Sequence, residues 1–144
     1  MSFESVRSIS LPIATDTAIS QYHGVYIDTN GQAIQVTDGS AQLAVGIALE
    51  ARVADTSTVQ DEQTVPVALF DGSKMEAVAG LAVAAGDRLI IGDDGQVHPH
   101  DAATAGDTPA GTYRFVGVAL SAASGAGERV TFLSAPGLGS VTLS

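Results

Sequence analysis

The chain has three histidines, His23, His98 and His100, and two of them stand in the segment His98-Pro99-His100-Asp101. Imidazoles at i and i+2 of a strand project from one face and can share a metal ion, with Asp101 as a third ligand. Pro99 between them and the loop that follows favour an exposed polar turn, and no metal site is assigned. Asp93-Asp94-Gly95 and Asp28-Thr29-Asn30-Gly31 carry the acidic residues and glycine of calcium loops. They lack the spacing and the closing glutamate of an EF-hand. Turn chemistry accounts for the same residues, because Asp and Asn bond their own backbone two residues on and Gly accepts positive φ.

Nucleophilic catalysis finds no better footing. Ser, His and Asp all occur, yet no GxSxG elbow is present. Leu138-Gly139-Ser140 lies near the end of the chain, beyond the last strong strand. Asp61-Glu62 falls in a polar loop and reads as a solvated face. There is no GxxxxGK[ST] phosphate loop, and Gly137-Leu138-Gly139 follows no suitable strand–helix unit. Cysteine is absent, which excludes disulfides, thiolate zinc sites and a Cys nucleophile. No catalytic residue, metal or cofactor is assigned.

Charge narrows the partners. Sixteen acidic residues against six basic ones give a net charge of −10, and Lys74 is the single lysine. Such a surface repels phosphate backbones, because nucleic-acid affinity comes largely from Lys and Arg displacing counterions. Anionic membranes are disfavoured for the same reason. No run approaches about 18 apolar residues, the length of a spanning helix. The N-terminal segment lacks the basic start and apolar core of a signal peptide, which predicts a protein made and used without Sec export.

The elements that must carry these residues are strands. The 144-residue length fits one domain, and 45% apolar residues with no Trp give a core of Val, Ile, Leu and Ala. Sixteen glycines and an excess of Asp over Glu suit short strands and tight turns. Val25-Tyr26-Ile27, Gln32 to Val36, Val65 to Phe70, Arg88 to Ile91 and Arg129 to Leu133 are β-prone runs, several bounded by Asn-Gly or Asp-Gly turns. Residues 76–85 read as a strand or at most one or two helical turns.

One stretch nearly recurs. Val45-Gly46-Ile47-Ala48-Leu49-Glu50-Ala51 returns 71 residues later as Val116-Gly117-Val118-Ala119-Leu120-Ser121-Ala122. Each copy follows a β-run, a Gly turn and a second β-run, and each precedes a loop and a closing strand. Two similar β-units packed face to face are expected. Strand alternation puts Val45, Ile47 and Leu49, and equally Val116, Val118 and Leu120, on a bulky face. Gly46, Ala48, Gly117 and Ala119 form a small face that lets another backbone approach. Residues 1–20 read as an extended arm, 21–136 as the β-domain and 137–144 as a tail. Ser8 to Leu11 alternates like a strand, and Pro12 suits an edge.

The acidic β-rich chain resembles the capsid cement, or decoration, proteins of tailed phages. The residues that carry the resemblance are Gly86-Asp87-Arg88-Leu89, the Val116 to Leu120 stretch and Gly127-Glu128-Arg129-Val130-Thr131-Phe132-Leu133. It covers roughly residues 20–135. The resemblance implies an all-β module, a small β-barrel, β-tulip-like or sandwich, that acts as a homotrimer without catalysis. It implies seating on the outer surface of the head at threefold or quasi-threefold sites, where the protein clamps neighbouring major capsid subunits. The N-terminal residues Val6, Ile9, Leu11, Pro12 and Ile13 are then expected to bind the capsid by strand addition. A carbohydrate-binding or adhesive β-module is the alternative, disfavoured by the lack of Trp. An enzyme using His98 and His100 is a further one.

Overall fold

The computed structural model describes residues 8–14, 17–53, 63–100, 107–135 and 137–143. Val6, Asp61, Glu62 and Asp101 lie outside them. All of the regular structure among the described residues is β. The first sheet is built from β1 (Ser8–Pro12), β3 (Gly24–Ile27), β4 (Ala33–Gln35), β5 (Ala44–Ala48) and β7 (Thr64–Leu69), in the order β1-β7-β5-β3-β4. The second is built from β8 (Lys74–Val78), β9 (Arg88–Ile91), β10 (Val97–Pro99), β12 (Gly117–Ala119) and β13 (Arg129–Ser134), in the order β10-β9-β12-β13-β8. Two short ribbons complete the fold: β2 (Ala18–Ile19) with β6 (Arg52–Val53), and β11 (Gly111–Arg114) with β14 (Ser140–Leu143). The segment 76–85 begins as β8 and forms no helix.

The two sheets are the same object built twice. In each, a hairpin (β3–β4 or β9–β10) is followed by a strand pairing with its first member, then by a strand outside that. A strand from earlier in the chain takes the far edge. The correspondence holds bond by bond. Asp28 N–H donates to the Gln32 carbonyl at 2.9 Å, and Gly92 N–H donates to the Gln96 carbonyl at 3.0 Å. Gly31 and Gly95 close these turns at φ 76° and 75°, conformations that only glycine adopts without cost. Each sheet curls until its edges touch at one parallel bridge, Ile13 with Ala33 and Ala79 with Val97. Neither closes into a barrel, and the two pack as a sandwich-like module.

Among the described residues, three apolar clusters hold the molecule together. The concave side of the first sheet buries Ile13, Val25, Ala33, Ala48, Val65 and Val67, with Ile19 of β2. The concave side of the second buries the matching Ala79, Leu89, Val97, Ala119, Val130 and Phe132. Val36, Ile47 and Ala68 enter that same cluster from the first unit, so its opposite face fills the opening of the second unit. Ile90, Tyr113, Phe115 and Leu143 form the third, where the β11–β14 ribbon covers part of the outer face of the second sheet. β1, β2 and β14 thus come from the segments read as arm and tail. Val141 and Leu143 alternate, but one such pair is too short a signal to announce a strand.

The recurring stretch is buried differently in its two copies. β5 is a central strand buried on both faces: Ile47 and Ala48 are fully buried, in different clusters, while Val45 and Leu49 are half-buried. In the second copy Ala119 faces the core, Val118 is half-buried and Leu120 is 50% exposed. The bulky face is therefore core only where the other unit covers it. Val116 is buried because the chain is irregular at Phe115 and Val116, which resets the alternation ahead of β12. The small face behaves as its residues demand. A Cβ on Gly46 would strike the Ala68 carbonyl, and one on Gly117 would strike the matching Leu133 carbonyl.

Candidate functional site

Two features stand out, an open sheet edge and a buried polar cluster. Among the described residues β1 pairs with β7 on one side only, from Ser8 opposite Ala68 to Pro12 opposite Thr64. Its far end is anchored: Ile13 is 1% exposed and Leu11 packs on the first core. Its near end is free: Ser8 and Ser10 are exposed and Ile9 is 40% exposed. Of the five N-terminal residues singled out by sequence, Ile9 is at the surface, Leu11 and Pro12 are half-buried, and Ile13 belongs to the core.

His98 is not part of an exposed turn. It lies on β10 with no exposed surface, and its Nε2 stands 3.0 Å from each carboxylate oxygen of Asp94. The third group of this cluster is Asp107; one ligand-capable atom from each residue lies within 4.8 Å of the others. Burial pushes the Asp94 carboxyl up, but the His98 ring and the Gln96 N–H bonded to it together hold it below the usual carboxylate value. His100 lies elsewhere, edge-on to Phe115 at 5.4 Å, and Asp101 is outside the described residues. The i, i+2 pair is therefore split. Asp107 was missed because it follows a long polar loop, where spacing carries no information.

In the calcium-like turns Asp28 and Asp93 bond backbone. Asp28 Oδ1 accepts from Asn30 and Gln32 N–H at 2.8 and 2.9 Å, and Asp93 Oδ1 accepts from Gly39 N–H at 2.8 Å. His23 meets the Gln21 carbonyl and Gln96, and His100 approaches the Arg88 carbonyl. None of the imidazoles is hydrogen-bonded to a serine hydroxyl among the described residues. A groove of about 500 Å³ runs between the β4–β5 loop and the β11–β14 ribbon, lined by Gly39 to Ala44, Phe70, Ile91 and Arg114 among others. Arg114 is the ionisable group in its wall. Among the described residues Tyr113, Phe115 and Phe132 are buried, and Tyr22, Tyr26 and Phe70 are half-buried.

The described residues form an all-β sandwich of two repeated units, each a five-stranded sheet with an edge strand on either side, β1 and β4 in the first and β10 and β8 in the second. The sequence pattern of the phage cement proteins matches residues 53–133, more than half of the chain, and the chain belongs to that family. The match spans the whole second unit and the end of the first. Its role is that of a capsid-associated structural protein of a phage. No curated protein matches the sequence. Among solved structures, the fold is similar to the head fiber gp8.5 N base of bacteriophage phi29. The TM-score is 0.61 at 16% identity, over 90% of this chain and 95% of that one.

Proposed function

We propose that the protein cements the phage head from outside, bound to the major capsid protein and joining neighbouring capsid subunits, and has no enzymatic activity. The observation that carries this reading is the open edge of β1. Among the described residues no strand lies outside β1, so its outward N–H and C=O groups are a template for one more strand, and its core-anchored far end holds that template rigid. An added capsid strand would satisfy the edge without rearranging the fold. The lack of Trp, and of any fully exposed ring among the described residues, weighs against the adhesive alternative.

Self-association fits a second surface. Val118 and Leu133 pair across β12 and β13 on the outer face of the second sheet, with Leu120 beside them. Leu133 is 43% exposed and Leu120 is 50% exposed. The matching residues of the first sheet, Ile47 and Ala68, are covered by the second unit. A second copy covering this apolar patch gives the expected homotrimer, and three linked edges then bind the head with avidity. Leu133→Asp should yield monomers of unchanged fold in analytical ultracentrifugation. A wild-type protein already monomeric at capsid-like concentrations would remove this surface from the account.

The capsid contact is tested on the edge itself. Deleting residues 2–14 would also remove β1 and Ile13 from the fold. Ile9→Lys instead places a solvated charge on the free end of β1 and should change stability by no more than about 0.5 kcal/mol. Wild-type protein should bind saturably, at a fixed ratio, to expanded heads that lack it, and make them more resistant to heat. Ile9→Lys should lose most of that binding. Full binding by the variant would exclude the edge, and no binding of wild type to any head form would exclude the cement role.

A further inference from the structure

We propose that Asp94, His98 and Asp107 form a site for one divalent transition-metal ion of the zinc class, which staples the segment ahead of β11 to the β9–β10 turn. This inference is independent of capsid binding. It rests on three observations that a plain His–Asp ion pair does not explain together.

The first is the donor set. One imidazole and two carboxylates suit zinc and its neighbours better than calcium or magnesium, which prefer oxygen alone. Ligands about 2.0–2.1 Å from one ion stand about 3–4 Å apart. The ligand atoms here are within 4.8 Å of one another, and Nε2 is already 3.0 Å from both Asp94 oxygens. An ion pair uses His98 and Asp94 and leaves Asp107 over; among the described residues its carboxylate makes no hydrogen bond. His98 is wholly buried and its Nδ1 has no partner, so Nε2 alone has company, and that company is anionic.

The second is the cradle around the ring. Gly80 and Gly92 are buried, and neither has the positive φ that would demand glycine. A Cβ on Gly80 would collide with the His98 ring and come within 2.8 Å of an Asp94 oxygen. A Cβ on Gly92 would lie 2.8 Å from Nε2. Both glycines keep clear the side of the imidazole where the carboxylates converge.

The third is the other copy of the same scaffold. The first unit builds this turn and bridge with Asn30 in place of Asp94, Ile34 in place of His98 and Ala14 in place of Gly80. Its backbone bonds match, with Ala14 N–H to the Ala33 carbonyl at 3.5 Å and Gly80 N–H to the Val97 carbonyl at 2.9 Å. The turn therefore folds without the cluster. A buried imidazole facing two carboxylates is an expensive feature to place where the scaffold accepts isoleucine.

The test uses the full chain, stripped with chelator and titrated with zinc chloride. Wild type should take up one equivalent after desalting, measured by mass spectrometry of the metal, and its Tm should rise by about 5 °C or more. The double variant Asp94→Asn, His98→Ile copies the first unit and should fold yet show neither effect. Asp107→Asn, which keeps its shape, should weaken zinc binding about tenfold or more and serves if the double variant does not fold. His23→Ala should bind as wild type. Absence of a stoichiometric zinc ion in wild type, or its retention in the Asp94, His98 and Asp107 variants, overturns the site. A response to calcium equal to that to zinc overturns the assignment of metal class.

Discussion

Phe132→Ala should lower the unfolding free energy by about 3–5 kcal/mol, the largest single loss expected in the chain. Phe132 is fully buried on β13, inside the second unit, and its ring lies 6.3 Å from that of Phe70 of the first. It therefore belongs at once to the core of one repeat and to the contact between the two. Its counterpart in the first unit is Val67, which is also fully buried but sits in a cluster of its own. Truncating Phe132 removes both sets of contacts and leaves a cavity between stiff sheets that cannot collapse into it. Urea unfolding followed by circular dichroism reads the loss directly. A cost near 1 kcal/mol would mean that the units are not joined through this ring.

Gly46→Val and Gly117→Val should each cost about 3 kcal/mol or more, and should do so alike. The added side chain meets a carbonyl of the neighbouring strand, Ala68 in one unit and Leu133 in the other, with Val67 and Phe132 close behind. Backbone cannot swing aside as a side chain does, so the strands must separate. Overpacking of this kind sits at the upper end of the usual range of about 1–3 kcal/mol or beyond it. Gly125 provides the control, since a Cβ there meets nothing within 4 Å and its φ is not positive. Gly125→Ala should leave stability unchanged or slightly raised. Thermal unfolding of the three variants compares them, and a tolerated valine at either Gly46 or Gly117 would show that the two copies are not equivalent.

That equivalence was legible before any coordinate. Repeated types at repeated spacing, Gly46 with Gly117 and the turns at Gly31 and Gly95, report local backbone needs that each residue states for itself. The β-runs and turns follow from the same local rules. Burial was less legible. Val118 and Leu120 have the same hydropathy as Ile47 and Leu49, yet Leu120 is half exposed while Ile47 is sealed. Nothing within either stretch says which copy the other will cover.

The candidate sites divide the same way. The strand character of Ser8 to Leu11 and the edge role of Pro12 could be read from alternation and a missing N–H. That Ile13 is core while Ile9 is surface depends on where β4 and β7 lie. His98 could be noticed, but its partners could not. Asp94 is four residues away across a turn, and Asp107 returns to the ring from beyond a polar loop.

By itself, then, the sequence determined an acidic all-β chain of two similar units with cysteine chemistry excluded, because composition, period and turn residues act locally. Tertiary structure alone decided which face of each sheet is buried, which strands lie at the sheet edges and which carboxylates meet His98. Those outcomes are set by contacts between segments far apart in the chain, and alternation along one strand carries no record of them.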